Sequence, residues 1–412
     1  MTGRTVVIGG GAAGIAAART LHDAGHEVLL IEAADRLGGR ARSVRLPTGH
    51  VVDHGCGWLH SAGRNLWTAI AEQAGFTIDR RSPNWPVQWN DLGFSPDEKR
   101  ASGEAYARFE DAAMAALDGP DRPLSDFVAK DDPWRPMIDA ISGYANGASL
   151  AEVSLHDWAA YENAATDDNW AVVEGYGTVV AHHAAGPPIR TGVTATRIDH
   201  GGRTIRIETL AGTIEADHVI VAVPTTVLAE GKLTFDPPLP AKQNAAAALP
   251  LGIADKVFLS VEGPLPWPAH AHLTGNPHSA CTASHRLSPF GWPIVESFFG
   301  GPCAEALEED GAAAAFAIDE LVALLGSDWR RRFTPLDATR WRHVPLIGGS
   351  YSHARVGHAG ARQTLAEPID GRLFFAGEAC SRDDFSTAHG AYRTGVEAAH
   401  AVMPADSHPR QG

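Results

Sequence analysis

The opening of the chain carries a glycine pattern that could bind phosphate groups. Gly9, Gly11 and Gly14 fit G-x-G-x-x-G directly after an apolar run, where a buried strand must turn into a helix. There the first glycine permits the tight turn, the second lets the backbone approach a pyrophosphate, and the third lets the helix pack on the strand. Glu32 ends the next apolar run, where a carboxylate would accept hydrogen bonds from a ribose.

A second glycine pair follows Glu32 and is closed by a cation. Gly38 and Gly39 lack side chains, so the backbone there could lie against a flat ligand. The guanidinium of Arg40 could neutralise a phosphate that the first loop leaves exposed. The segment 50–60 is again rich in glycine, and we expect it to be extended.

These groups need a parallel sheet to bring them together. Residues 219–223 form another uninterrupted apolar run, which is typical of a buried parallel strand. A further buried strand would deliver Gly377 and Glu378 near the end of the chain. Between 77 and 170 the pattern is mostly helical. The sequence therefore predicts an α/β protein whose chain returns several times to one parallel sheet.

The composition is that of a globular protein large enough for two interleaved domains. The chain has 412 residues, of which 44% are hydrophobic and 20% charged. No run approaches the roughly eighteen apolar residues of a membrane span, so we expect no membrane partner. The first strand begins at Arg4 and Thr5 without a charged and apolar leader, which favours a cytoplasmic protein. A net charge of −15 disfavours nucleic acid as a partner.

The cysteines and the clustered histidines lack the spacing of a metal site. No two cysteines form a C-x-x-C pair, which argues against a disulfide framework and favours free thiols: Cys56, Cys281, Cys303 and Cys380. Histidines in the proline-rich region after residue 263 have no H-x₃-H spacing, and we predict that they are surface residues: His270, His272, His278 and His285.

The order of these motifs resembles the flavin-dependent amine oxidase family, which includes monoamine oxidases, polyamine oxidases and flavin-dependent histone demethylases. The glycine pair with Arg40 is followed by Asp53, Gly55, Trp58 and His60 in the family's spacing. The matching patches are strongest at residues 5–66, 215–260 and 339–400. They are weakest where substrate would be bound.

The resemblance implies a Rossmann-like FAD-binding domain built from several chain segments, with an interleaved α+β substrate domain. The FAD-binding domain would comprise 1–76, 171–235 and 346–412, and the substrate domain 77–170 and 236–345. The FAD would be noncovalent, because the segment that carries the attachment cysteine in the covalent monoamine oxidases contains none here. The residues implied to bind FAD are Gly9, Gly11, Ala13, Gly14, Glu32, Arg40, Gly55, Cys56, Gly57, Trp58, Val193, Trp341, Gly377, Glu378, Thr387 and Ala388.

Lys256 is the catalytic residue that the resemblance implies. In the family a lysine at this position holds a water against flavin N5, and here Lys256 opens an apolar strand. The last segment departs from the family pattern. An aromatic residue is expected just before the Ser-Thr-Ala-His-Gly motif, and Asp384 stands there with Phe385 one step later. An acid at that place would either anchor a cationic end of the substrate or face water. His60 is the other candidate for the pocket.

The implied reaction is oxidation of a small amine, with O2 as acceptor and hydrogen peroxide as product. Two alternatives stay open at this stage: an FAD-dependent desaturase of the carotenoid or porphyrinogen type, and an FAD-binding module without turnover. Lys256 and the Trp58-x-His60 pattern favour amines. The amine itself and a homodimeric assembly are not fixed by the sequence.

Overall fold

A computed structural model describes residues 3–403 of the chain. The strands are β1 Thr5–Ile8, β2 Val28–Ile31, β3 Ser43–Arg45, β4 Val51–Asp53, β5 Ile78–Asp79, β6 Ala171–Val172, β7 Ile189–Arg190, β8 Ala195–Asp199, β9 Ile205–Thr209, β10 Gly212–Ala216, β11 His218–Val221, β12 Thr234–Asp236, β13 Ala254–Val261, β14 Ala271–Thr274, β15 Ser284–Leu287, β16 Ile294–Gly300, β17 Phe333–Ala338 and β18 Leu373–Phe375. The helices are α1 Ala12–Asp23, α2 Leu66–Gln73, α3 Pro96–Met114, α4 Arg135–Asn146, α5 Leu155–Ala164, α6 Tyr176–His183, α7 Thr225–Ala229, α8 Pro240–Ala248, α9 Gly301–Ala306, α10 Ala312–Leu325, α11 Ala361–Ala366 and α12 Ala388–Val402.

A parallel sheet of order β18-β11-β1-β2-β7 lies at the centre of one half of the protein. β1, β2 and β18 are buried along their whole length, as uninterrupted apolar runs require. Because the strands are parallel, their carboxyl ends meet at one edge, where the Gly9–Gly14 turn, Glu32 and Gly377 follow them. The predicted α/β class and parallel sheet are confirmed.

An antiparallel sheet of order β14-β15-β16-β13-β17 forms the other half, and α4 from the 77–170 insertion packs against β16 and shares a hydrophobic cluster with α3 and α5. Lys256 lies on β13, which pairs with β16. The helix α3 begins with Pro96 after a capping box in which Ser95 Oγ accepts from Glu98 N–H and Glu98 accepts from Ser95 N–H. The predicted domain boundaries stay a prediction, and residues 404–412 lie outside the described part.

The prediction of free thiols is wrong for one pair of cysteines. Cys281 and Cys303 form a disulfide with a Cα–Cα distance of 4.6 Å. Cys281 lies just before β15 and Cys303 lies in α9 just after β16. The antiparallel pairing of β15 with β16 therefore brings the two together, although 22 residues separate them. Cys56 and Cys380 are free.

Two of the predicted surface histidines are buried. His272 on β14 stands opposite Arg286 in the strand register, whereas His285 points to the other face of the sheet, where its Nδ1 lies 2.8 Å from Ser297 Oγ. The prediction is wrong because both faces of these strands are covered, so that strand alternation exposes neither side chain. His278 is exposed, as predicted.

Candidate active site

A single cavity of about 1190 Å³ runs from the carboxyl edge of the parallel sheet to the inner face of the antiparallel sheet and to α3 and α5. It is lined by most of the residues that the sequence predicted, namely Gly9, Gly11, Ala13, Glu32, Arg40, Gly55, Cys56, Gly57, Trp58, His60, Val193, Lys256, Trp341, Gly377, Glu378, Phe385, Thr387 and Ala388. Gly14 and Asp384 do not line it.

The first glycine loop shapes the wall of the cavity. Gly9 has φ +107°, which favours glycine, and a Cβ on Gly14 would lie 1.8 Å from the Gly9 carbonyl oxygen. Gly14 therefore packs α1 against the turn instead of lining the cavity. Around a Cβ on Gly11, by contrast, no protein atom lies within 4 Å. The space over Gly11 is large enough for a ligand to contact the backbone.

Glu32 is fixed at the end of β2 by backbone donors. Its Oε2 accepts from the Gly10 N–H at 2.5 Å and its Oε1 from the Ala34 N–H at 2.8 Å. Each carboxylate oxygen has a second lone pair, so both can still accept a hydroxyl proton from a ligand in the cavity. The Val193 N–H donates to the Glu32 carbonyl at 2.8 Å, so it is the Val193 carbonyl that is available for a ligand.

Arg40 is paired with an acid from the far end of the chain. Its Nη1 donates to Glu378 Oε1 at 2.8 Å and to the Ser350 carbonyl at 2.9 Å. Burial alone would raise the pKa of Glu378, but the charges of Arg40 and Arg362 and the hydrogen bonds from Ser352 and Arg40 together lower it. Sequence reasoning identified both residues but missed their pairing. The charge of Arg40 is thus already balanced by Glu378, and a phosphate would share it.

The Gly55 region packs tightly against Trp341. A Cβ on Gly55 would lie 1.6 Å from the Arg40 carbonyl oxygen and 3.3 Å from the Trp341 ring, so only glycine fits there. Trp341 is buried and donates from Nε1 to the His54 carbonyl at 3.2 Å. Burial raises the pKa of the neighbouring Cys56 thiol far above its usual value, which keeps the thiol protonated. The wall is therefore tightly packed here, and its thiol is neutral.

Lys256 is buried, and its ammonium has three acceptors. Nζ donates to the Asp53 carbonyl at 2.9 Å and to the Gly55 carbonyl at 3.2 Å, and it pairs with Glu296 Oε1 at 2.9 Å. An ammonium has three N–H donors, so all of them are engaged. If Lys256 is also to hold a water, one of its N–H groups must be shared between two acceptors or released from its present one. The bond to the Gly55 carbonyl is the longest and therefore the weakest of the three, so its N–H is the one most easily released.

Glu296 and Arg286 are functional candidates that sequence reasoning missed. Glu296 Oε2 lies 3.5 Å from Arg286 Nη1 while its Oε1 pairs with Lys256. Burial would raise the pKa of Glu296, but Lys256 and Arg286 together lower it. The two residues stand opposite each other on β15 and β16. Only the strand register could have indicated this pairing, and residue spacing in the sequence does not reveal it.

Asp384 does not belong to the pocket. Its carboxylate is buried and accepts from Arg64 Nη1 at 2.9 Å, while Arg393 and His389 lie within 2.6 and 3.1 Å. These hydrogen bonds and charges outweigh burial and lower its pKa. The prediction that Asp384 anchors a cationic end of the substrate or faces water is wrong. Phe385 does line the cavity, and the centre of its ring lies 3.6 Å from the Arg362 guanidinium carbon.

The last helix begins at the cavity wall. Thr387 caps α12, with its Oγ1 accepting from the Gly390 N–H at 3.0 Å and donating to the Asp384 carbonyl at 2.6 Å. Ala388 is the first residue of the helix, so the free N–H groups of its first turn lie at the cavity. This partial positive charge favours an anionic ligand group.

Outside the glycine loops the lining of the cavity is rich in aromatic residues and includes two further acids. Trp58 packs edge-on against Trp85 with ring centres 5.8 Å apart. Burial lowers the pKa of His60 to about 4, so its ring, hydrogen-bonded to Asn169, is neutral. The two acids, which the sequence did not single out, are Glu110 on α3 and Glu162 on α5. Further aromatic residues of the lining are Tyr106, Tyr144, Trp158, Tyr161 and Tyr351.

Within residues 3–403, no group of three His, Cys, Asp or Glu side chains is arranged to hold a metal ion. Over the same range, no helix has the length and apolar character needed to span a bilayer.

Comparison with known proteins gives one consistent answer. The sequence profile of the family described as flavin containing amine oxidoreductase matches residues 12–403. Polyamine oxidase 2 of Arabidopsis thaliana is 30% identical over 96% of this chain and 86% of its own length, and polyamine oxidase 4 of Oryza sativa subsp. japonica is 29% identical over 96% and 87%. A solved structure of a cofactor-binding double mutant of putrescine oxidase superposes with a TM-score of 0.77 at 17% identity, covering 97% of this chain and 98% of that one.

Proposed function

The chain belongs to the family of flavin-containing amine oxidoreductases, and from that premise we propose that its substrate is a diamine or polyamine. The protein is an FAD-dependent amine oxidase. An amine is oxidised to an imine, which water hydrolyses, and O2 is reduced to hydrogen peroxide. The relatives do not favour a desaturase. An FAD-binding module without turnover would release no hydrogen peroxide on addition of an amine, so a peroxide assay excludes it directly.

The residues of the cavity fit FAD. A large open volume lies over Gly11 and Gly377, where an added Cβ would meet no protein atom within 4 Å. The carboxylate of Glu32 can accept from a ribose, the N–H groups of the first α1 turn and Arg40 can bind the diphosphate, and the start of α12 can bind the electron-rich ring. These roles, like the Rossmann-like description of the domain, are part of the proposal.

In the reaction the chain supplies binding, orientation and exclusion of water. When bound, FAD accepts the hydride equivalent from the carbon beside the amine nitrogen. Lys256 is held by Asp53, Gly55 and Glu296, and we assign it the positioning of a water through the weakest of these bonds. Trp58 and Phe385 provide apolar walls that hold the substrate carbon and keep bulk water away.

The observation that carries the diamine proposal is the pair of acids in the same cavity. Glu110 and Glu162 line the end reached by α3 and α5, whereas Lys256 lies on the antiparallel sheet. Burial and then the charge of Glu110 raise the pKa of Glu162 to about 7. Two neighbouring acids on one wall of a cavity bind a cation because the cation relieves their mutual repulsion. A diamine offers such a cation at one end and a reacting amine at the other.

We expect Glu162→Gln to raise KM for putrescine by roughly tenfold or more, with a much smaller change for n-butylamine, which lacks the second amine. Because its pKa is about 7, Glu162 is ionised above that pH. The parent's KM for putrescine should therefore fall as pH rises through 7, and the fall should be smaller in the variant. Glu104→Gln, which removes an exposed acid of α3, is the matched control. An equal KM change for both amines would contradict the proposal.

We also propose that the FAD is noncovalent. Burial raises the pKa of the Cys56 thiol far above its usual value and that of the Cys380 thiol to about 12. Neither is therefore a nucleophilic thiolate near neutral pH. The other two cysteines are joined in the disulfide. Acid precipitation of the protein should release the yellow colour into the supernatant. Colour that stays in the pellet would mean covalent attachment.

A further inference from the structure

The inner face of the antiparallel sheet carries a row of three charges. Lys256 on β13, Glu296 on β16 and Arg286 on β15 all line the cavity. Glu296 stands opposite Arg286 in the strand register and diagonally to Lys256, whose partner in the register is Phe298. Because side chains alternate along a strand, this register places all three on the cavity side. Two cations therefore share one acid.

Arg286 is held in place by aromatic and neutral groups. Its guanidinium lies 4.3 Å from the centre of the Trp58 ring and 5.0 Å from that of Phe290. Nε and Nη2 contact His270 Nδ1 at 3.2 and 2.9 Å. Burial and then Arg286 lower the pKa of His270 to about 4, so this partner adds no charge. Donors of Arg286 that make none of these bonds can face the cavity.

The other titratable groups around Arg286 leave the wall with a net positive charge. Asp79 lies behind His270 and is hydrogen-bonded to Arg81. The Asp53 carboxyl is turned to Ser43 and the Tyr176 N–H, and burial raises its pKa. Burial lowers the pKa of His272 to about 3, and His60 is likewise neutral. Facing the cavity, Lys256 and Arg286 therefore outweigh Glu296.

We propose that Arg286 is a specificity-determining residue that, with Lys256, makes the wall beside Trp58 cationic, so that an amine nitrogen is accepted there only in its uncharged form. The proton of the alkylammonium is left to solvent before the nitrogen reaches this wall. Oxidation needs a nitrogen with a free electron pair, so the same charge that rejects the ammonium selects the reactive form. The inference rests on amine oxidation, and it does not depend on the diamine proposal.

The test measures the rate of flavin reduction against pH in the holoenzyme, without oxygen, for two monoamines of different solution pKa. In the parent, the acidic limb of the profile should move with the pKa of the amine. Arg286→Gln removes a positive charge, which makes protonation of the bound amine easier, so the acidic limb should shift to higher pH by roughly one unit. Glu296→Gln removes a negative charge, so the limb should shift to lower pH. Arg286→Lys keeps the charge, so its limb should lie at the same pH as that of the parent.

A binding measurement gives a readout that needs no turnover. Tetramethylammonium cannot lose a proton, so the parent should bind it poorly, and Arg286→Gln should bind it at least roughly tenfold more tightly by calorimetry. An acidic limb that is the same for both amines, or unmoved in Arg286→Gln and Glu296→Gln, would overturn the proposal. Equal binding of tetramethylammonium by the parent and by Arg286→Gln would also overturn it, because the charge of Arg286 would then have no effect on a cation in the cavity. If Arg286→Gln does not retain FAD, the comparison of the two amines in the parent and the pH profile of Glu296→Gln test the proposal instead.

The result can be separated from failure of the proposed substrate class. If the substrate is not a diamine, Glu162→Gln will affect putrescine and n-butylamine equally, but the acidic limb for monoamines will still move in Arg286→Gln. If Arg286 has only a structural role, Arg286→Gln will change stability or flavin content without moving that limb.

Discussion

Gly11→Val should fold normally and yet retain less than about a tenth of the FAD of the parent. A side chain at Gly11 meets no protein atom within 4 Å, and φ there is −80°, which valine tolerates. The protein itself therefore has no reason to rearrange. The branched side chain would instead fill the space in which the backbone must contact the pyrophosphate. The loss should appear in the ratio of flavin absorbance to protein absorbance.

The choice of control variant makes this experiment specific. Gly360→Val also places a side chain in open space, at a residue with φ −66° that does not line the cavity. It should retain full flavin. Gly14→Val would not be a suitable comparison, because its Cβ would lie 1.8 Å from the Gly9 carbonyl oxygen and disrupt the packing of α1. Full flavin content in folded Gly11→Val would contradict the assignment of the opening loop.

The parts of the site that the sequence predicted are those encoded locally. Gly9, Gly11 and Glu32 lie within one strand–turn–helix–strand unit, so their types and spacing specify their geometry. The same holds for Thr387, whose side chain caps the helix that begins one residue later. In each case the hydrogen bonds that position the group are made within a short stretch of chain.

The parts that were missed depend on contacts between distant segments. The Arg40–Glu378 pair joins residues 338 apart, and the disulfide and the Arg286–Glu296 pair require the β15–β16 register. The prediction for Asp384 is wrong for the same reason. One of the cations that neutralise its carboxylate is Arg64, which comes from the start of the chain. Side-chain type indicated a charge at each place but not its partner, and the partner decides whether that charge faces a ligand.

The catalytic assignment itself is tested by Lys256→Met, which keeps the length and apolar character of the side chain while removing its charge and its donors. We expect a fall of at least roughly tenfold in the rate of flavin reduction by amine or of its reoxidation by O2, because loss of one positioned hydrogen-bonding group at a reaction centre commonly costs that much or more. Anaerobic stopped-flow reduction and a separate mixing with O2 show which half-reaction depends on the lysine.

The buried ion pair requires a second variant before a lower rate can be attributed to chemistry. Lys256→Met leaves Glu296 with Arg286 alone, and breaking a buried pair costs on the order of 3 kcal/mol in the free energy of unfolding. The double variant Lys256→Met with Glu296→Gln removes the unpaired charge and should recover part of that stability. If the lysine acts on the reaction, the rate will stay low in the double variant although stability returns. Recovery of both together would make Lys256 a structural residue of β13, and parental rates in the single variant would exclude any role in catalysis.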